Sequence, residues 1–349
     1  MKKKFIFALL FFSLGQGIFF ARATRDKKAE QKKLVRRLEK NHGAVYTRPE
    51  IDGEKECFDE VWGFVLDGRS YEFSENLPLT DIVIFSSTLT VYGEVTDVPN
   101  AKTFAKFSGR THLTFSCNNK ATVHFVLDKN FGLREKFEND LIRATKKFDG
   151  LCVDMEYIPL RDGKNFLNFL RSIKSKLGKK ILSVCVPART KTISNDMFPY
   201  KTISEIADRV IIMAYDEHWS TSAPGAIASL DWCTRIVDYA KTKILAKKIV
   251  MGLPFYGRTW TNDKHAGAWY FSGVNRKLSE NDVSKVERDS GGVPHVSYTT
   301  EVGVTCFFDD AFSLVKKIRA YKERDISNIA FWRIGQEDSA IWEWIEVKE

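Results

Sequence analysis

Two acidic side chains close an apolar segment near the middle of the chain, within FDGLCVDMEY at residues 148–157. If this segment is a β-strand, Cys152, Asp154 and Glu156 point to the same face, because side chains alternate along a strand. Two carboxyl groups on one apolar face disfavour each other's ionisation, so one of them keeps its proton towards neutral pH. A protonated carboxyl is what a general acid needs. The pattern predicts an acid–base site. For the two acidic residues taken alone, a strand end exposed to solvent is the simpler alternative.

Eight short apolar segments have the length and composition of β-strands. Most are continuous apolar runs, as is typical of strands covered on both faces. Amphipathic, helix-like stretches lie between them at 131–147, 163–177, 231–241 and 310–323. This alternation favours βα units and a parallel sheet. The predicted strands are 61–67, 82–88, 111–117, 150–156, 180–187, 209–215, 248–254 and 328–334.

Eight such units predict a closed (β/α)8 TIM barrel of the α/β class, in which Glu156 falls at the carboxyl-terminal rim where barrel active sites lie. A doubly wound open sheet is the second choice. No G-x-G-x-x-G turn follows the first strand, which weakens a dinucleotide-binding version of that sheet. The long stretch at about 261–308 is rich in Gly, Ser and Thr and becomes β-like towards its end. It predicts a small α+β insertion after strand seven.

The first residues have the pattern of a secretory signal peptide. Basic Met1–Lys4 precedes the apolar run 5–20, and Ala21-Arg22-Ala23 supplies an A-x-A cleavage site. The run is shorter than the ~20 apolar residues of a spanning helix, so we expect a cleaved signal at 1–23, with an uncleaved anchor as the alternative. The expected location is secreted, periplasmic or associated with the cell wall, without a stable membrane span.

The positive charge of the chain is concentrated at its start. The formal net charge is +9, and the whole excess lies within residues 1–41. Residues 24–47 are predicted to be a basic linker, with tethering to an anionic surface as the alternative. The remainder, 48–349, is balanced and has no global field that would attract nucleic acid. We therefore expect no nucleic-acid partner, and we expect a monomer.

The six cysteines are widely spaced. An exported chain admits disulfides, but a chain of this length forms a core without them. Several of the cysteines lie in predicted strands, so we expect mostly buried free thiols. No Cys/His spacing fits zinc, and no structural metal is expected.

Four motifs at the predicted strand ends resemble those of glycoside hydrolase family 18. Residues 149–156 are similar to its D-x-x-D-x-D-x-E signature, except that Cys152 replaces the second aspartate. MAYD at 213–216 resembles M-x-Y-D, and GLPFYGR at 252–258 resembles G-x-P-x-Y-G-R. Trp332 stands where the family has a strand-eight tryptophan. The resemblance runs from about residue 58 to the end of the chain and identifies 48–349 as a catalytic barrel.

The resemblance implies retaining, substrate-assisted hydrolysis, in which the 2-acetamido group of the substrate is the nucleophile. The catalytic residues are then Glu156 as general acid, Asp154 on the acetamido N–H and Tyr215 on the acetamido oxygen. Asp149 is a more peripheral member of the acidic set. This chemistry needs no metal and no cofactor. The candidate substrate-binding residues are Asp216, Trp332, Met213, Tyr256, Arg258 and Trp219.

The function implied is hydrolysis of β-1,4-linked N-acetylglucosamine in peptidoglycan or chitin oligosaccharides. The loop at 216–229 is more similar to bacterial spore-germination and cell-wall members than to insect or fungal chitinases. The alternative is a non-catalytic, lectin-type sugar-binding protein. Such proteins commonly lack the acid, whereas Glu156 is present here. The replacement at Cys152 is expected to alter the pH optimum without abolishing activity.

Overall fold

The computed structural model describes residues 46–262, 265–281, 283, 285–299 and 302–348. The predicted signal peptide at 1–23 lies outside the described residues, as does all but the end of the predicted linker at 24–47. Both therefore stay predictions. The compact unit begins at Tyr46.

Eight parallel strands form a closed barrel, as predicted. They follow one another around the barrel in chain order, and the first pairs with both the second and the eighth, which closes the ring. The barrel strands are β2 (Glu60–Leu66), β3 (Asp81–Leu89), β5 (Arg110–Ser116), β6 (Gly150–Asp154), β7 (Ile181–Pro187), β8 (Arg209–Met213), β9 (Ile249–Pro254) and β15 (Asn328–Trp332), and the other strands are β1 (Glu56–Phe58), β4 (Val95–Thr96), β10 (Tyr256–Thr261), β11 (Ala266–Tyr270), β12 (Glu287–Arg288), β13 (Pro294–Thr299), β14 (Gly303–Phe307) and β16 (Ile345–Val347).

Helices cover the outside of the barrel. The predicted helix at 163–177 is confirmed at the same bounds, and it buries Phe166, Phe169, Leu170 and Ile173 along one face. Each such side chain contributes about 1.5–3 kcal/mol when it leaves water. The α-helices are α1 (Lys120–Leu127), α2 (Arg134–Thr145), α3 (Gly163–Leu177), α4 (Tyr200–Ile206), α5 (Leu230–Lys241), α6 (Phe271–Glu280) and α7 (Ala311–Lys322).

An ionic cluster lies at the amino-terminal end of the barrel. Glu60 accepts hydrogen bonds from Arg110 and Arg209, each at 2.7 Å, and Asp81 accepts from Arg110 and from the buried ring of His112. Buried carboxylates are stable when they are paired and hydrogen-bonded in this way. Accordingly, the pKa values of Glu60 and Asp81 lie below their usual range, because these hydrogen bonds and charges outweigh desolvation. The cluster closes one end of the barrel, and the other end is left for the site.

The insertion after the seventh barrel strand is an antiparallel sheet with one helix. Its strands lie in the order β11-β10-β14-β13-β12, and α6 follows β11. The sheet begins at Tyr256, a few residues before the predicted start near 261. The hydroxyl of Tyr270 donates to Glu72 and accepts from Arg69, which ties the insertion to the loop after β2.

Candidate active site

A cleft of about 460 Å³ opens at the carboxyl-terminal ends of the barrel strands. Barrel enzymes place their chemistry at this face, because the loops that follow the strands converge there. The cleft combines three acidic groups with aromatic and apolar walls. The residues that line it are Phe64, Phe85, Asp154, Glu156, Cys185, Pro187, Ala188, Met213, Tyr215, Asp216, Trp232, Tyr256 and Trp332.

Asp154 is the last residue of β6, and its side chain is directed into the barrel. It is 7% exposed, and its Oδ1 atom has no hydrogen-bond partner among the described residues. Desolvation, and next the negative charge of Glu156, raise its pKa to about 7, while the thiol of Cys185 offsets part of that rise. Asp154 therefore changes its protonation state close to neutral pH.

Glu156 lies two residues beyond the end of β6, at the mouth of the cleft. We predicted a strand as far as Glu156, but pairing with β5 ends at Asp154 and the chain then turns into a loop. The side chain is exposed to the cleft. Its pKa is raised by desolvation from the surrounding walls and by the negative charge of Asp216. Both effects favour the protonated acid.

Tyr215 follows β8 and places its ring in the cleft. Burial raises the pKa of its hydroxyl well above the usual value, so the group stays protonated and is available as a donor. Gly252 on the neighbouring strand allows this position, since a Cβ there would lie 3.1 Å from the Tyr215 ring and 2.7 Å from the carbonyl oxygen of Ile212. Met213, the last residue of β8, forms part of the same wall.

Asp216 is held in position by the insertion. Its backbone is left-handed, with φ of 58°. The hydroxyl of Tyr256 donates to Asp216 Oδ1 at 2.5 Å, and the guanidinium of Arg258 donates to the same oxygen at 3.2 Å. Tyr256 and Arg258 both belong to β10, so the first strand of the insertion determines where this carboxylate lies.

Trp332 forms an aromatic wall of the cleft. Its ring lies edge-on to Phe85, with 5.0 Å between ring centroids, and 5.4 Å from the ring of Phe64. Aromatic pairs of this kind contribute about 0.5–1.5 kcal/mol beyond the burial of their area, which favours this position of the indole. The indole face is therefore a pre-formed apolar surface beside the acidic groups.

Two of the predicted site residues, Asp149 and Trp219, do not lie in the cleft. Asp149 precedes β6 at the opposite end of the barrel, where its carboxylate accepts from the backbone N–H and hydroxyl of Thr111. It is therefore a structural cap between strands. Trp219 is 53% exposed on the loop after β8, and its indole N–H donates to Thr221 at 2.9 Å. It does not line the cleft.

Several cleft residues were not identified from the sequence. Phe64 and Phe85 lie near the ends of the first two barrel strands, and the alternation of side chains along those strands is the signal that would have found them. Cys185 occupies an inward position on β7, and Trp232 lies in the first turn of α5. The described ranges hold no group of three or more His, Cys, Asp or Glu side chains arranged to bind a metal ion. The six cysteines are all unpaired, and five of them are buried.

The architecture and the site together define a (β/α)8-barrel glycoside hydrolase with paired carboxyl groups. The chain belongs to glycosyl hydrolases family 18, whose family model matches residues 83–337. It is 25% identical over 295 residues to the uncharacterized glycosylase YvbX of Bacillus subtilis, which covers 79% of this chain and 85% of that protein. In the part of the chain that the structure describes, no helix is long and apolar enough to cross a membrane.

The names of other relatives state an activity. The cortical fragment-lytic enzyme of Bacillus anthracis is 27% identical over 62% of this chain, and the match spans about half of that enzyme, 54%. A class V chitinase of Arabidopsis thaliana is 27% identical over 63% of this chain and 67% of its own length. The crystal structure of the Bacillus cereus spore cortex-lytic enzyme SleL has a TM-score of 0.76 at 21% identity and covers 85% of this chain and 76% of that one. This last likeness concerns the fold.

Proposed function

We propose that this protein is an exported hydrolase that cleaves β-1,4-linked N-acetylglucosamine in peptidoglycan or chitin oligosaccharides, with retention and with assistance from the substrate. The observation that carries the proposal is the position of Glu156, a carboxyl of raised pKa beside a second buried carboxyl and a protonated tyrosine. This is the set of groups that protonates a leaving oxygen while a neighbouring acetamido group attacks.

Three groups act on the substrate, and Glu156 acts in both steps. Glu156 gives its proton to the glycosidic oxygen, and the acetamido carbonyl oxygen of the −1 sugar attacks C1 to form an oxazolinium ion. Asp154 accepts a hydrogen bond from the acetamido N–H and stabilises the positive charge of the oxazolinium ion. Tyr215 donates its hydroxyl to the acetamido oxygen and orients it, which is a proximity effect. Water then opens the ring, with Glu156 as the base.

The walls of the cleft suit a sugar chain. Trp332 offers an apolar face to the −1 sugar, and Asp216 accepts from its hydroxyls. The names of the relatives, cortical fragment-lytic enzyme and class V chitinase, support both a cell-wall glycan and chitin as substrates. The loop at 216–229 favours the cell-wall glycan.

The test is hydrolysis of fluorogenic N-acetylglucosamine mono-, di- and trisaccharides beside purified peptidoglycan. Wild type is compared with Glu156→Gln, which keeps the shape of the side chain and removes the proton. We expect release by wild type and a loss of about 10²- to 10⁴-fold in the variant, the usual contribution of a general acid. Wild-type rates in the variant would overturn the proposal, and oligosaccharide binding without release would indicate a lectin-type protein.

Export is a separate part of the proposal. It is supported by the basic start, apolar run and A-x-A site at residues 1–23. Fractionation of cells that express the full chain, with N-terminal sequencing of the product, tests it. A mature protein that begins near residue 24 outside the cytoplasm is expected, and a full-length cytoplasmic protein would contradict it.

A further inference from the structure

Two thiols lie in contact inside the barrel, directly beneath the carboxyl pair. Cys152 on β6 and Cys185 on β7 have their sulfur atoms 3.5 Å apart, a distance at which either thiol donates to the other. Cys152 is 0% exposed and Cys185 4% exposed. They occupy the same apolar interior as Phe64, Val83 and Ile211. Cys152 is therefore fully enclosed, and Cys185 lines the cleft on the side of the site.

Asp154 is the polar group that the pair faces. Its carboxyl is enclosed, and its Oδ1 atom has no hydrogen-bond partner among the described residues. The Cys185 thiol interacts with this carboxyl in the sense that favours the ionised form. A buried carboxylate needs donors, because an unmade hydrogen bond leaves the full cost of its desolvation uncompensated. Cys185 lines the same cleft from the strand next to that of Asp154, and its thiol is a neutral donor available to this carboxyl.

The other titratable groups around Asp154 do not have this effect. The acids at the mouth of the cleft act in the opposite sense, since a charge on Glu156 raises the pKa of Asp154 and a charge on Asp216 raises the pKa of Glu156. Tyr215, after β8, stays protonated because burial raises its pKa well above the usual value. The pKa of Cys185 is raised well above its usual value by Cys152, by burial and by the two nearby acids. The Cys185 thiol therefore stays neutral and adds no charge beneath the carboxyl pair.

We propose that Cys185, oriented by Cys152, is a positioning residue that keeps the single proton of the carboxyl pair on Glu156, because its thiol donates to the carboxylate of Asp154. The inference rests on the proposed function. When the pair holds one proton, it exists in two forms. The productive form has the proton on Glu156 and the charge on Asp154, and the unproductive form is the reverse. A donor directed at Asp154 lowers the free energy of the productive form.

Cys152 has the supporting part. When its S–H points to the sulfur of Cys185, the proton of Cys185 is free to point to Asp154. The chain of donors then runs in one direction, from Cys152 to Cys185 to Asp154. A carboxyl at position 152 would accept the Cys185 proton instead, and the donor would be lost. This gives a physical reason for a thiol where the family signature has an aspartate.

The first experiment measures protonation without substrate. The carboxyl carbon of Asp154 is followed by ¹³C NMR in protein labelled with [4-¹³C]aspartate, and its signal is assigned by its loss in Asp154→Asn. We expect Cys185→Ala to raise the titration midpoint of Asp154 by about half a pH unit, which is the size of one weak hydrogen bond. Cys185→Ser, which keeps a donor, is expected to restore it. An unchanged midpoint in Cys185→Ala would overturn the proposal.

The second experiment measures turnover at the pH of highest activity. Cys185→Ala is expected to lower kcat about threefold with KM unchanged, because fewer molecules hold the proton on Glu156. Cys233→Ala is the matched control, since it removes a buried thiol that packs among the outer helices. If both alanine variants lower kcat equally and the Asp154 midpoint does not move, a packing defect is the cause and the proposal falls.

The two experiments separate this inference from the proposed function. If wild type cleaves no glycan but the Asp154 midpoint moves in Cys185→Ala, the hydrolase proposal fails and the placement of the proton stands. If wild type cleaves glycans and the midpoint does not move, the hydrolase proposal stands and the role of Cys185 fails. Thermal melting of each variant confirms that the comparison is made on folded protein.

Discussion

The hydroxyl of Tyr256 donates a 2.5 Å hydrogen bond to Oδ1 of Asp216, and this contact joins the insertion to the acid of the site. Asp216 lies on the loop after β8, and its charge is one of the two causes that raise the pKa of Glu156. A tyrosine on the insertion therefore determines the position of the carboxylate that helps Glu156 to hold its proton. In the proposed mechanism the insertion therefore acts on the general acid as well as forming a wall of the cleft.

Removal of this hydrogen bond is expected to reduce activity without unfolding the protein. Tyr256→Phe keeps the buried ring and deletes the donor, and hydrogen bonds to charged groups contribute about 1.5–3 kcal/mol. We expect kcat/KM to fall about tenfold or more with the melting temperature nearly unchanged. Tyr239→Phe is the control, because that hydroxyl bonds Thr192 on the outside of the barrel at 3.4 Å. Equal losses in the two variants would contradict the role of Tyr256.

The pH profile should show an acid that holds its proton to unusually high pH. The pKa of Glu156 is raised and that of Asp154 is about 7. In the proposed mechanism activity needs one proton on the pair, so we expect it to be lost as pH rises through the upper apparent pKa of the pair. We expect kcat/KM to persist towards neutral pH, whereas an ordinary glutamate would lose its proton above about 4.3.

Asp216→Asn provides the check on this profile. The variant removes a negative charge that raises the pKa of Glu156, so the alkaline limb should move to lower pH. The measurement is kcat/KM across pH 4–9 at constant ionic strength. A limb that does not move, or that moves to higher pH, would show that Asp216 does not control the acid.

Asp154 should make the protein less stable as pH rises. Its pKa is about 7 in the folded state against 3.8 as the ordinary value, so the folded state binds the proton more tightly. Its contribution is therefore fully present below about 4 and is lost as pH rises through about 7. Asp154→Asn removes the titration. By urea unfolding, we expect the variant to become about 2–4 kcal/mol more stable relative to wild type between pH 4 and 8. A constant difference across that range would contradict this.

The barrel could be predicted because the pattern that indicates each strand lies within a few consecutive residues. Each of the eight strands is a short apolar run that is covered on both faces, and α3 has a clean apolar side. Glu156 was identified from its spacing, two residues after Asp154 in the sequence, although the strand itself ends at Asp154. The direction of the strand also determines which end of the barrel Glu156 occupies.

Asp149 shows that a match to a family motif does not by itself place a residue in the site. It precedes the strand, so the direction of the chain alone places it at the amino-terminal end, beside Thr111. The similarity to the family signature, and not the geometry, brought it into the predicted set. The contact between Cys152 and Cys185 could not be predicted, because it depends on the stagger of β7 against β6. Cys152 is level with Ser183, and that register is a tertiary property.

The most sensitive point of the outer layer should be the buried pair of Lys317 and Asp309. Lys317 is 1% exposed on α7, its ammonium donates to Asp309, and Ser313 donates to the same carboxylate at 2.6 Å. Lys317→Ala leaves Asp309 in the core without its counter-charge, and loss of one partner of a buried pair costs about 3–5 kcal/mol. We expect a loss of that size in the free energy of unfolding by urea denaturation.

Lys285→Ala is the matched control for this loss. Lys285 pairs with Glu287 at 3.2 Å, but its side chain is 82% exposed, and exposed ion pairs contribute about 0–1 kcal/mol. We therefore expect Lys285→Ala to unfold with wild-type stability. Similar losses in the two variants would mean that the charge of Lys317 is not what stabilises α7 against the barrel. A full loss in Lys317→Ala with recovery in Lys317→Arg would show that the counter-charge to Asp309 is the cause.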